Sequence, residues 1–341
     1  MFKGHKNQLK IFTLIALVIV LGVFSITQGS VKIPVSDVVS TILKTDAADS
    51  IKPSHQFIIT SIRLPRILLA GMVGGILSMV GVVFQAIFKN PMADPYVMGV
   101  SAGASFGATL GIVFGIGVSF LGMGVVSMMA FIGALGTMLM VYFLANGAGR
   151  ISTTAILLAG VVMNAILSSM VSFMMIMFHN EIDKIVTWTM GSFNAASWDY
   201  VKLLLIPMML GFIYLMSISR ELNAMMIGED EAKNTGVNVE GIKRNALVIA
   251  SLMMAFSVSV SGIIGFVGLI VPHVLRILFG YNHKILLPVS FLGGASFMII
   301  CDTFARSVME NMEIPVGIIT SMVGGPFFLV LLYQQKKKNA I

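Results

Sequence analysis

Glu229, Asp230 and Glu231 stand side by side in the stretch "IGEDEAKNTGVN", residues 227–238, of a 341-residue chain in which only 11% of residues are charged. Nothing in the stretch resembles a metal site, a nucleophile or a phosphate loop. The longer segment "ELNAMMIGEDEAKNTGVNVEGIKR" reads as two short helices broken at Gly228 and Gly236. The three acids fall at the start of the second helix, where the helix N-terminus favours negative charge. Leu222, Met225, Met226 and Ile227 give the first an apolar knob. A rigid amphipathic elbow of this kind suits docking into a groove on a soluble partner better than it suits a solvated loop.

Chemistry of the chain's own is hard to find elsewhere. Five scattered histidines show no HExxH or Cys/His spacing, so no metal site is expected, and the lone Cys301 excludes an internal disulfide. The dipeptide Gly-Lys does not occur, which removes a Walker A loop, and no Gly-x-Ser-x-Gly or paired-carboxylate motif suggests an enzyme. A stand-alone ion-coupled carrier would want an ionisable group at mid-membrane. The apolar runs are nearly free of charge, and Arg276 and Asp302 fall toward their ends. Transport against a gradient would therefore draw its work from another polypeptide.

The elements that must position these residues are membrane helices. The chain is 57% hydrophobic, and soluble domains carry about 25% charged residues. With about 20 apolar residues per crossing, the length accommodates ten spans and no separate soluble domain, so residues 1–341 read as one domain with the polar segment 219–244 inside it. The spans are expected at about 11–26, 67–88, two within 96–149 turning near Gly117–Gly122, then 153–178, 201–218, 245–262, 264–280, 285–301 and 315–333. Lys3, Lys6 and Lys10 precede the first span without a following cleavage signal, so that span reads as retained, with both termini on one side. This topology puts 14 of the 22 Lys and Arg inside and 8 outside, which favours cytoplasmic termini and a cytoplasmic elbow. The net charge of +7 then belongs to basic loops at the lipid surface rather than to a nucleic-acid site.

Two further patterns concern packing. Gly99, Gly103, Gly107, Gly111 and Gly115 recur every fourth residue, a small-residue stripe that lets helix backbones approach. Most of the 27 methionines read as membrane-core filler, with Met174, Met175 and Met177 as candidates for a cavity lining. "RILLAGMVGGILSMVG" and "RNALVIASLMMAFSVSVSG" open two four-span groups, spans 2–5 and 7–10, from opposite sides of the membrane. That is a faint inverted repeat of the kind found in transporters.

Taken in order, "RLPR", "KNPMADP", "GVSAGA", "LNAMMIGEDEAKNTGVN", "GFVGLIVPHVLR", "CDTFAR" and "EIPVGIITSMVGGPFF" resemble the permease family of bacterial type II ABC importers, which take up iron-siderophore complexes, haem and cobalamin. The resemblance runs from about residue 10 to 333; Met92 and Thr235 stand where the family commonly has Leu. It implies an all-α, ten-helix permease of the bacterial cytoplasmic membrane. Two copies would pair around a central path, with two ATPase subunits below and an external substrate-binding protein above. No cofactor would be bound by this chain, ATP and Mg belonging to the partner ATPase. The cargo implied is an iron chelate, with cobalamin the alternative.

By the same matching, Leu222, Asn223, Met225, Met226, Gly228, Glu229, Asp230, Glu231, Ala232 and Gly236 would couple to the ATPase. Asn90, Met92, Thr153 and Thr154 would line a cytoplasmic gate. Arg63, Arg66 and Arg306 would receive glutamates of the binding protein, unless a nearby carboxylate such as Asp302 or Glu310 pairs with them internally.

Overall fold

A computed structural model of the chain describes residues 2–29, 31–45, 51–115, 123–147, 150–309 and 312–339. The expected turn at Gly117–Gly122 and the carboxylate Glu310 lie outside the described residues. Helix α1 (Phe2–Thr27) is followed by two short helices, α2 (Val35–Leu43) and α3 (Pro53–Phe57), and a π-helical turn at Ile58–Arg63 carries α3 into α4 (Leu64–Ile87). A 3-10 turn at Pro95–Met98 leads into α5 (Val100–Phe114). After α6 (Val125–Ala145), a two-residue hairpin of β1 (Asn146–Gly147) and β2 (Arg150–Ile151) turns the chain into α7 (Thr153–Met177). Next come α8 (Ile182–Thr189), α9 (Trp198–Ser217), α10 (Ser219–Ile227) and α11 (Glu229–Asn234). The chain closes with α12 (Val239–Ser261), α13 (Val267–Phe279), α14 (His283–Ala305) and α15 (Val316–Asn339).

Each expected span corresponds to a helix. Eight helices among the described residues are long and apolar enough to cross a membrane, and α5 and α13 are shorter apolar helices of 15 and 13 residues. At 1.5 Å per residue these two reach only about 20 Å, less than the roughly 30 Å hydrocarbon core. Contacts sort the helix ends onto two levels, as alternating crossings require. On one level Trp198 Nε1 donates to the Thr60 carbonyl at 2.9 Å and Ser127 bonds Tyr200 at 3.1 Å. On the other, Lys10 Nζ donates to the Leu278 carbonyl at 3.1 Å and Asn223 Nδ2 to Asn282 at 3.0 Å.

Helix α4 is the centre of the bundle. Its apolar window is 94% buried, and α9, α12, α13 and α14 all pack on it. Glycine makes two of these contacts possible. A methyl group at Gly81 would overlap the Gly268 carbonyl of α13, and one at Gly74 would overlap the Gly294 carbonyl of α14. The sequence stripe works the same way between α5 and α6: Gly103 lies against the Gly133 carbonyl and Gly107 against that of Met129. Gly115, the last of the stripe, meets nothing.

The two short helices begin in the same way. α5 starts after Gly99 at φ 76° and α13 after Phe266 at φ 69°, both left-handed. The segments leading into them meet, since Tyr96 Oη donates to the Ile264 carbonyl at 3.1 Å and accepts from the Ile264 N–H at 3.3 Å. In the alternating topology residues 88–98 enter from the inside and 262–266 from the outside, so both helices start within the membrane and run to opposite faces. The second helix of each four-span group is thus the short one, which is the inverted repeat expressed in structure.

Backbone-to-backbone contacts leave no room to adjust. Gly81→Ala is expected to destabilise the bundle by about 1–3 kcal/mol through overpacking. Gly136→Ala, on an α6 face with nothing within 4 Å of the added methyl, should be neutral or slightly stabilising. Thermal unfolding in detergent measures both; equal melting temperatures for the two variants would contradict this account of the α4–α13 contact.

Candidate functional site

The elbow forms the two short helices expected of it, α10 and α11, but its apolar face points the other way. Leu222, Met225 and Ala232 are buried, with Met225 and Ala232 packed on Val239 of α12. Only Met226 and Ile227 of the expected knob are exposed, Ile227 at 82%. Helical spacing accounts for Ile227: residues 222 and 225 share the face that an amphipathic helix buries against its own bundle, Met226 stands at the edge of that face, and Ile227 points away from it. Gly228, at φ 178° and ψ 151°, has extended backbone that any residue adopts. Gly236, at φ 86°, is the position where the left-handed turn needs glycine.

The polar side chains of the elbow divide between anchoring and display. Asn223 Oδ1 accepts from the His283 N–H at 2.9 Å and lies 2.7 Å from His283 Nδ1, which ties α10 to the start of α14. Glu229 accepts from Lys243 of α12 at 2.6 Å and lies 3.9 Å from Lys89, just past the end of α4. Lys243 is only 3% exposed and Glu229 30% in its side chain, so this pair is a half-buried fastening. Asp230, Glu231 and Gly236 remain on the exposed face, with Asp230 near Lys233.

Of the four expected gate residues, Asn90 shapes its own loop, its Oδ1 accepting from the Met92 N–H at 2.9 Å. Met92 lines a cavity of about 440 Å³ together with Met226 of the elbow. Thr153 and Thr154 form the first turn of α7, which Ser152 caps by accepting from the Ala155 N–H at 3.2 Å, and they lie outside that cavity. At the opposite end, a cavity of about 550 Å³ is bounded by α8, Tyr200 and the serines Ser192, Ser259 and Ser261. Helix α8 lies between two of the expected spans, and its eight residues are too few to show an apolar period against that background.

The external arginines are turned inward. Arg63, Arg66 and Arg306 are 5%, 8% and 7% exposed. Arg63 donates to the carbonyls of Ile26 and Val31, and Arg306 to those of Ser25 and Gln28. Two guanidiniums thus satisfy carbonyls around the C-terminal end of α1, which the helix itself leaves open. Arg66 donates to Asp302 at 3.1 and 2.8 Å and to Glu313 at 2.8 Å. Asp302 also lies 3.6 Å from Arg306. Burial pulls the Arg306 pKa below its ordinary value, and Asp302 opposes that shift. The internal pairing with carboxylates is therefore present for Arg66 and Arg306, through Asp302 and Glu313, while Arg63 bonds carbonyls. The Gln85–Arg276 bond at 2.7 Å and the Lys89 and Lys243 contacts of Glu229 were not singled out from sequence; their only signal there is a polar residue beside a span end.

Asp302 is 1% exposed in its side chain and Glu313 40%. Asp302→Asn is expected to cost about 3–5 kcal/mol, because it leaves Arg66 buried without its main partner. Glu313→Gln should cost about 1 kcal/mol or less. Melting temperatures in detergent, taken without any partner protein, separate these; similar small shifts for both would show that the network is not structural.

Comparison with known proteins agrees with this architecture. Residues 17–334 match the FecCD transport family. The chain is 42% identical to the cobalamin import system permease of Halobacterium salinarum, covering 81% of this chain and 73% of that one. It is 35% identical to the molybdate import system permease of Haemophilus influenzae, covering 96% of each. It is 36% identical to the hemin transport system permease of Yersinia pestis, over 82% and 84% of the two chains. A solved ABC transporter described as of metal-chelate type, in an inward-facing conformation, superposes with a TM-score of 0.83 at 33% identity, covering 95% of this chain and 98% of that one. With a family match across nearly all its length and ten membrane helices in the matching arrangement, this chain belongs to the FecCD transport family and is a multi-pass ABC transporter permease.

Proposed function

We propose that two copies of this chain form the membrane path of an ATP-driven importer in a bacterial cytoplasmic membrane, moving an iron chelate inward. Two cytoplasmic ATPase subunits supply the work and the ATP and Mg, and an external binding protein delivers the cargo. The observation that carries this reading is Glu229. It sits on an elbow whose other face offers Met226, Ile227, Asp230 and Glu231 to the cytoplasm, and it reaches both Lys243 of α12 and Lys89 beside the Asn90–Met92 loop. A push on the exposed face is thereby passed to the gate loop through a charge contact rather than through a flexible linker.

Helix α7 supports the pairing of two copies. Only 22% of its apolar window is buried, and Ala165, Ser168, Ser169 and Ser172 form an exposed stripe on it. Hydroxyls at bilayer depth suit a protein-lined path better than lipid. Ser169 and Ser172 donate back to the carbonyls of Ala165 and Ser168, so the stripe is compatible with bulky cargo that it does not bind tightly. Iron is favoured by the hemin permease among the similar proteins, and a chelate by the metal-chelate type of the solved transporter. Cobalamin is the second reading, on the 42% identity to a cobalamin permease. Titrating the cognate binding protein with ferric chelates and with cobalamin decides between them.

Arg63, Arg66 and Arg306 contribute to docking of the binding protein in this reading by holding the external ends of α1, α4 and α14 in place. Their burial argues against a purely exposed charge contact.

Coupling and path can be tested apart. Ile227→Asp is expected to reduce ATPase co-purification several-fold, while Glu229→Gln retains the ATPase and loses cargo-stimulated hydrolysis. Full coupling in Glu229→Gln would remove the proposed link. Single cysteines at Asn90, Met92, Thr153 or Thr154 are expected to cross-link between two copies, with yields that change on adding ATP. Absence of cross-linking in every nucleotide state would place the gate elsewhere.

A further inference from the structure

The 440 Å³ cavity that joins Met92 to Met226 carries a guanidinium, that of Arg276, which neither the path nor the elbow uses. Lys89, His273 and Arg276 line it, with Tyr281 at its edge, and no carboxylate is among the lining residues. Glu229 is 3.9 Å from Lys89 but is held at 2.6 Å by Lys243. Arg276 has no acidic partner among the described residues. Its Nη2 donates to Gln85 Oε1 at 2.7 Å, and its guanidinium lies 5.8 Å from the Tyr281 ring centroid. Gln85 is fixed in turn by donating to the Gly268 carbonyl at 3.2 Å. The guanidinium is therefore held by a neutral amide and an aromatic face, with its charge uncompensated.

The rest of the wall is apolar: Pro91, Met92, Leu269, Ile277 and Leu331. The cavity lies at the end of α13 where a second cation, Lys10, bonds the Leu278 carbonyl and sits 5.3 Å from the Phe279 ring centroid. Between the two cations Ile277 and Leu278 are 73% and 55% exposed, and Tyr281 70%. Exposed aliphatic residues bracketed by Lys, Arg and Tyr mark the level where hydrocarbon meets headgroups. On the inside, that level belongs to a leaflet whose anionic lipids attract Lys and Arg.

We propose that this cavity binds an anionic phospholipid of the inner leaflet, its phosphate on Arg276 and Lys89 and its first methylenes along Leu269, Ile277 and Leu331. Because Met92 and Met226 share the cavity, a bound lipid touches the gate loop and the elbow together and acts as a spacer between them. The site requires both parts of the ligand: the cations select a phosphate ester, and the apolar wall selects one carrying a chain.

Native mass spectrometry of the full chain released from nanodiscs tests this, with phosphatidylglycerol titrated into phosphatidylcholine. The wild type is expected to retain phosphatidylglycerol in preference to phosphatidylcholine. Arg276→Gln should weaken that retention about five-fold, the worth of roughly one Arg at the lipid surface, and Arg276→Lys should restore most of it. Lys202→Gln, on the opposite face, serves as control and should change nothing. Unaltered retention in a folded Arg276→Gln protein overturns the proposal. Displacement of the lipid by soluble glycerol phosphate at similar concentration also overturns it, since the site would then bind an anion without a chain. Loss of the lipid on adding the partner ATPase would show that a protein carboxylate fills the cavity in the assembled transporter, and that outcome too rejects a lipid occupant.

Discussion

A helix can be enclosed on every side within a membrane only where its neighbours' backbones come close, and α4 is enclosed in this way. Gly74 and Gly81 lie one above the other on it, two turns apart, and each admits a glycine of another helix. Lipid tails are as apolar as leucine, so burial alone gives helices little reason to associate in the bilayer. Close packing does, and it holds α13 and α14 against α4 at fixed depth. The polar contacts at both ends of the bundle depend on those two helices: α14 begins at the Asn223 contact and ends at the Asp302 network, and α13 ends beside the loop that carries Asn90 and Met92.

Starting two helices inside the membrane creates a second constraint, because their leading segments have backbone groups that no helix satisfies. In hydrocarbon each such group costs several kcal/mol. Tyr96 meets part of that need by bonding both the carbonyl and the N–H of Ile264 with one hydroxyl. Asp94 meets another part, accepting from the Tyr96 N–H at 2.9 Å. Irregular backbone is tolerated at this depth because protein, not lipid, surrounds it.

Charge is spent differently at the two faces. On one face four buried groups, Arg63, Arg66, Asp302 and Arg306, lock the ends of α1, α4 and α14 into one block. On the opposite face Glu229 and Asn223 tie the elbow to three different parts of the bundle, leaving its other side exposed.

Much of this was legible in the amino-acid sequence. A membrane sorts residues by transfer energy, so the ten helices, their alternation and the elbow's place between the sixth and seventh followed from where charges occur. The glycine stripe announced close packing, since only small residues recur at that spacing for that purpose. The short matching segments carried the family. What sequence could not decide is which way a side chain turns at an interface. Leu222 and Met225 look like a docking knob and are buried in the chain's own core. Arg63, Arg66 and Arg306 look like exposed charges and are consumed by carbonyls and carboxylates from α1, α14 and the segment before α15, up to 281 residues away. Those partners are brought together by the packing around Gly74 and Gly81, and no local pattern encodes a distance between helices. Only the tertiary structure, where backbone approach sets which polar groups meet, could assign them.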